Sequence, residues 1–135
     1  MIAAQALTPG SAHGPALVLA APLSFWGGID VETGKVIDRS HPDLGACITG
    51  AVLVMPGGRG SSSSSSVLAE TLRRGTGPLA IVLSSPDPIL TVGAIVAASL
   101  YGIRCPIVVC SIDDFHTGMS LSVQADGSNA SVALD

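Results

Sequence analysis

Charge is what this sequence has least of. Only 12% of its 135 residues are charged, against roughly 25% in an ordinary soluble domain. Six residues are basic and the formal net charge is -4. Too few cations are present to build a basic stripe or arm, which argues against nucleic-acid binding. Aromatics are nearly as scarce. Two Phe, one Trp and one Tyr leave no stacking platform for single strands. No run of ~18 apolar residues occurs, so no membrane span is expected. The first residues carry no basic segment, and Gly14-Pro15 interrupts their apolar runs, so no signal peptide is read there. The three cysteines, Cys47, Cys105 and Cys110, form no CxxC pair. They read as buried thiols in a reducing, cytoplasmic setting rather than as metal ligands or a disulfide framework.

What is plentiful is apolar or small. Hydrophobic residues make up 47% of the chain and glycine contributes 16 positions. That suffices for the core of one domain of ordinary size. A surface so poor in charge also points to an extensive interface with a partner.

Residues 1–13 are small and irregular and read as a loose lead-in, leaving 14–135 as a single domain. Short apolar runs at 16–21, 48–55, 79–83 and 107–110 predict buried strands. Residues 67–74 predict a helix. Val67, Leu68, Thr71 and Leu72 share one face, Arg73 and Arg74 sit at the negative end of the dipole, and Gly75 closes it. Ile89, Val92, Ile95, Val96 and Leu100 recur at helical spacing and predict the core face of a second helix ending at Gly102. Leu121, Val123 and Ala125 alternate with polar residues, as do Ala130, Val132 and Leu134, which predicts a hairpin turning over 126–129. Strands alternating with helices imply βαβ units and parallel pairing. The fold class is therefore α/β, a small β barrel or sheet with two main helices.

One segment has the composition of a site. Pro56-Gly57-Gly58-Arg59-Gly60 is followed by serines at 61–66 and lies between a predicted strand and a predicted helix. Glycine permits tight turning and close approach of a ligand to the backbone. A helix start offers unpaired N–H groups and the positive dipole end. Such a turn suits a carboxylate or phosphate, held by Gly58, Arg59, Gly60 and the hydroxyls of Ser61, Ser62, Ser63 and Ser64. It is neither a Walker A loop, lacking Gly-Lys-Ser/Thr, nor a G-x-G-x-x-G fingerprint. Serine also favours N-caps for purely structural reasons, so both readings stand. A serine acting as a base needs activation by nearby positive charge, which Arg59 and the helix end offer.

Ser24-Phe25-Trp26-Gly27-Gly28 is the second unusual feature. It reads as a packed aromatic corner or as a loop shaping a pocket mouth or partner contact. Asp113-Asp114-Phe115-His116 reads as a polar turn rather than a metal cluster. His13, His41 and His116 read as loop or surface residues.

In order and spacing, Ser24-Phe25-Trp26-Gly27-Gly28-Ile29-Asp30, Thr33-Gly34, His41-Pro42, Gly45 and Val52-Leu53-Val54-Met55-Pro56-Gly57-Gly58-Arg59-Gly60-Ser61 resemble the small subunit of the aconitase X family. The resemblance spans about residues 14–112. It implies a swivelling β/β/α domain like the mobile fourth domain of aconitase. It also implies a large catalytic subunit as partner, carrying an Fe–S cluster or iron, with no cofactor or metal site in this chain. The implied reaction removes water from a small hydroxy acid. Relatives act on cis-3-hydroxy-L-proline in bacteria and on mevalonate 5-phosphate in archaea, and the implied proton acceptor is Ser61. Two other readings of the same turn remain: a stand-alone module that holds a small anion without chemistry, and a purely structural adaptor.

Overall fold

The structure, a computed structural model, describes residues 1–127 and 129–135. In chain order the elements are β1 (Ile2–Thr8), β2 (Gly10–Val18), α1 (Phe25–Gly28), β3 (Val52–Met55), α2 (Ser64–Arg74), β4 (Ala80–Leu83), α3 (Pro88–Tyr101), β5 (Ile107–Val109), β6 (Ser120–Asp126) and β7 (Asn129–Leu134). The strands close into a barrel in the order β1-β5-β4-β3-β2-β6-β7. The four strands β2, β3, β4 and β5 run parallel. The ladders of β1 with β5 and β7, and of β6 with β2 and β7, are antiparallel and complete the circle.

The parallel strands are buried on both faces, which is why they read as unbroken apolar runs. Alternation sorts their side chains by size. Val52, Val54, Ala80, Val82 and Val108 join Leu121, Val123, Val132 and Phe115 inside the barrel. Leu53, Met55, Ile81, Leu83 and Ile107 point outward beneath Leu68 and Leu72 of α2 and Leu90, Ala94 and Ala97 of α3. A barrel of seven strands leaves room only for side chains, so its lining is mostly Val and Ala. Phe115 fills it from the expected turn at 113–116.

The α/β class, the two main helices and the small barrel are as the sequence implies. Glycine ends both helices in the left-handed region, Gly75 at φ 78° and Gly102 at φ 66°. The hairpin is present, with its ladder running from Leu121 opposite Leu134 to Asp126 opposite Asn129. Of the turn expected over 126–129, Ser128 lies outside the described residues.

Four expectations are corrected. The lead-in over 1–13 is not loose: β1 and the start of β2 are barrel strands, Ile2 opposite Val132 and Gly10 opposite Ala125. Their residues are too small to announce a strand, and long-range partners fix them. The run at 48–55 becomes a strand only from Val52, because Gly50 at φ 68° turns the chain just before. Helix α2 begins at Ser64, not Val67. The buried face of α3 is Leu90, Gly93, Ala94 and Ala97, while Val92, Ile95 and Leu100 are more than half exposed. Small residues won that face because α2 crosses close by. A Cβ on Gly93 would lie 2.6 Å from the Ser65 carbonyl oxygen and 3.1 Å from its Cα. No helix among the described residues is long and apolar enough to cross a membrane.

Thr8 closes the irregularity in the β1–β5 ladder. Its buried hydroxyl donates to the Cys105 carbonyl and accepts from Ile107 N–H, both at 2.8 Å. Cys105 is fully enclosed beside it, and burial pushes its thiol up to about 12. Burial also raises Cys110, whereas Cys47 is exposed, against the reading of all three as buried thiols.

Two predictions follow from this packing. Gly93→Ala gains about 1 kcal/mol of helix propensity but overpacks the α2–α3 crossing at a cost of about 1–3 kcal/mol. The crossing wins, so the urea midpoint falls. Above pH 9 the unfolded chain releases the Cys105 proton while the folded chain retains it up to about pH 12. Stability is therefore whole below about pH 9 and declines above it, approaching about 1.4 kcal/mol per pH unit. Urea titrations from about pH 8 to 10.5 check this, with Cys105→Ala giving a flatter slope.

Candidate functional site

Four connections leave the carboxyl ends of the parallel strands on one side of the barrel: residues 19–24 after β2, 56–63 after β3, 84–87 after β4 and 110–119 after β5. A β-bridge between Leu23 and Gly58 joins the first to the second. The second and third enclose a cleft of about 230 Å³, lined by Gly58, Arg59, Gly60, Ser61 and Ser64 on one wall and 86–90 on the other.

Glycine is required here by close contact. Gly60 adopts φ 97°, and a Cβ on it would lie 3.1 Å from Ser24 Oγ. At Gly58 the neighbour is Asp87: a Cβ would overlap its Oδ2 and lie 2.8 Å from its Cγ. The Asp87 carboxylate is fixed in turn. Its Oδ1 accepts from Ile89 N–H at 2.9 Å and Leu90 N–H at 3.1 Å, capping α3, with Pro88 in the first turn. Asp before Pro at the head of an apolar run is the sequence signature of such a cap.

The serines divide into distinct roles. Ser61 is half-buried on the cleft wall, and its Oγ accepts the Ser63 N–H at 3.1 Å. A hydrogen bond donated to an oxygen favours its anionic form. Ser62 is exposed and Ser63 half-buried; neither lines the cleft. Ser63 occupies the N-cap position of α2 without a side-chain cap bond. Ser64 lines the cleft but is only 5% exposed. Its Oγ accepts from Trp26 N–H at 3.0 Å and lies 3.4 Å from Ser24 Oγ, while Ser24 Oγ donates to the Trp26 carbonyl at 3.1 Å. Ser24 and Ser64 therefore pin the Trp26 segment to the serine turn.

The amides opening α2 are not the free cradle that the sequence suggested. Ser64, Ser65 and Ser66 N–H close tight turns on the carbonyls of Ser61, Ser62 and Ser63. The amides of Gly60, Ser61 and Ser62 have no acceptor among the described residues, so donors for an anion lie one turn upstream. Arg59 is exposed at the rim. Ser40, through its hydroxyl and its N–H, holds Asp38 below the usual carboxylate value, and the charge of Arg59 adds to this. Arg59 thus stands within electrostatic reach of Asp38.

The aromatic corner splits. Phe25 is wholly buried in the core under α2, and Gly28 packs against Leu23, so neither touches the cleft. Trp26 is 59% exposed, held outward by Gly27 at φ 76°. His41 is buried. Its Nε2 donates to the Ala21 carbonyl at 3.0 Å and its Nδ1 accepts Asp43 N–H at 3.0 Å, while Asp43 Oδ2 accepts Ala20 N–H at 2.8 Å. These bonds anchor the chain leading to Ser24. His13 and His116 are exposed.

Comparison with known proteins places the chain. The family model described as the aconitase X swivel domain matches residues 1–132. The chain is 49% identical over 107 residues to a cis-3-hydroxy-L-proline dehydratase of Pseudomonas aeruginosa, covering 79% of this chain and 18% of that protein. It thus spans about a fifth of the length of the hydroxyproline dehydratases it matches. It is 44% identical over 93 residues to the phosphomevalonate dehydratase small subunit of Methanothermobacter thermautotrophicus, covering 69% of this chain and 71% of that one. A crystal structure of Thermococcus kodakaraensis aconitase X in its holo-form superposes with a TM-score of 0.84 at 32% identity, over 97% of this chain and 98% of that chain.

Replacing Ser64 with Ala strands the Trp26 N–H, and a buried donor left unpaired costs about 1–3 kcal/mol. Ser64→Ala should therefore lower the urea midpoint and shift the emission of Trp26, the one tryptophan of the sequence. Ser62→Ala, at an exposed position, should change neither.

Proposed function

This chain belongs to the aconitase X swivel-domain family, and we propose that it is the small subunit of a dehydratase, offering Ser61 as proton acceptor to a hydroxy acid held mainly by a large subunit. The observation that carries the reading is the setting of Ser61 Oγ. It lies on the wall of a cleft beside Arg59 and Gly60 and receives a backbone N–H. Ser61 Oγ, as its alkoxide, takes the proton from the carbon bearing the substrate carboxylate; the C–O bond on the neighbouring carbon breaks, and the departing hydroxide leaves as water with a proton supplied by an acid of the large subunit. Arg59 and the upstream amides attract the carboxylate.

The iron or Fe–S cluster that the family resemblance implies does not fit this chain. Among the described residues no three His, Cys, Asp or Glu side chains gather as a metal site. Cys105 is sealed as a thiol and Cys47 is exposed elsewhere. Such a group belongs, in this proposal, to the large subunit. A large partner also accounts for the outer face of α3. Its 14 residues include no charged side chain, and Val92, Ile95 and Leu100 face outward. The outer face of α2 instead carries Glu70 ion-paired with Arg73 and Arg74.

For the substrate we propose cis-3-hydroxy-L-proline. The cleft wall offers one cation, Arg59, beside the Asp87 carboxylate, a poor setting for a phosphate dianion and a suitable one for a monocarboxylate. Mevalonate 5-phosphate is the second reading, favoured by similarity to separate small subunits of comparable length. The cytoplasm is the proposed location, consistent with free thiols.

The test is reconstitution with the large subunit and assay of both substrates. Neither chain alone should turn over. Ser61→Ala should lose about 10²–10⁴-fold in kcat while the complex still forms, and Ser62→Ala should stay within a few-fold. Full turnover by Ser61→Ala would exclude it as the base. Turnover failing on every hydroxy acid, with tight calorimetric binding of one by this chain alone, would favour the anion-holding module.

A further inference from the structure

We propose that Asp87 is a positioning residue for Ser61, acting as a rigid wall for the glycine turn rather than through its charge; this rests on the reading of Ser61 as proton acceptor. The turn from Gly57 to Ser61 is held from two sides. On one side are the Leu23–Gly58 bridge and Ser24, against which Gly60 packs. On the other stands Asp87, whose carboxylate occupies the volume a side chain on Gly58 would need. Both Gly58 and Asp87 line the cleft that Ser61 faces.

The wall is stiff because α3 makes it so. Two N–H groups hold Oδ1, and the Asp87 carbonyl accepts Thr91 N–H at 3.1 Å and Thr91 Oγ1–H at 2.8 Å. The carboxylate therefore cannot swing away without uncapping the helix. Oδ1 is committed to those amides, and Oδ2 is the atom that abuts Gly58. What remains is shape. Gly58 can approach only as far as Oδ2 allows, and Gly58 is three residues from Ser61 in a turn whose other end is fixed at α2. Moving this wall moves the hydroxyl, and a misplacement of about 1 Å costs on the order of 10²-fold in rate.

Substitutions that separate cap from wall test this in the complex with the large subunit. Asp87→Ser keeps a capping oxygen but vacates the wall, and Asp87→Asn keeps both. Asp87→Ser should lower kcat by about 10- to 100-fold with KM little changed, and Asp87→Asn should recover most of that loss. Gly58→Ala, which collides with the carboxylate, should be severely impaired. Gly58→Ala combined with Asp87→Ser should regain about 10-fold over Gly58→Ala alone, a coupling that a cap acting only on stability does not produce. The proposal falls if Asp87→Ser keeps kcat within about twofold of the parent, if Asp87→Asn is as slow as Asp87→Ser, or if the double variant shows no recovery. If Ser61→Ala itself retains turnover, the base assignment fails separately. The amide resonances of this chain then decide: Asp87→Ser should shift those of Gly58 and Ser61, and unmoved signals would overturn the wall.

Discussion

Closure of the barrel with its four parallel strands side by side is the constraint on which the rest depends. Parallel neighbours all deliver their carboxyl ends to the same edge, so the connections after β2, β3, β4 and β5 must emerge together. Ligand sites in parallel sheets form at that edge for this reason. The antiparallel strands β1, β6 and β7 complete the circle but send no long connection there. Four loops crowded onto one rim leave little volume for side chains. Glycine and serine are what fit, and the closest contacts are those of Gly58 with Asp87 and Gly60 with Ser24.

That crowding explains why six consecutive serines are not redundant. Identical residues entering a helix point in different directions, and each meets a different neighbour. Ser61 faces the cleft, Ser62 faces water, and Ser63 lends its N–H to Ser61 Oγ. Ser64 turns inward and ties down Trp26. Their chemistry is set by azimuth, which composition does not encode.

The same distinction marks what was legible in the sequence. The central strands were visible because burial on both faces demands unbroken Val, Ile and Leu, and the helix ends because Gly75 and Gly102 need the left-handed region. The Gly-Arg-Gly-Ser turn was legible as a strand-to-helix connection because glycine and serine interrupt both periodicities. Three things were hidden. The strands β1 and β2 are specified by partners more than a hundred residues away. The buried face of α3 was misread because periodicity reports where large apolar residues lie, whereas the close crossing with α2 selected Gly93, Ala94 and Ala97. Asp87 was passed over because its sequence signature reports a cap, and its contact with Gly58 exists only once both loops share the rim.

The electrostatics of the rim bear on why a second polypeptide belongs in the proposed chemistry. Two helices start beside the cleft, and both have spent their N-terminal donors: α3 on Asp87, α2 on the carbonyls of its own serine turn. What remains for an anion is Arg59 and a few upstream amides. In the proposed reading these attract the carboxylate and Ser61 accepts the proton, but elimination of water also requires a group that draws electrons from the departing hydroxyl. No described side chain on the cleft wall is such an acid: Asp87 is engaged as a cap, and the buried His41 bonds to backbone at both ring nitrogens. In the proposed reading the rim supplies the base and the large subunit the acid, and the uncharged outer face of α3 adjoins that opening, where Ile89 lines the cleft.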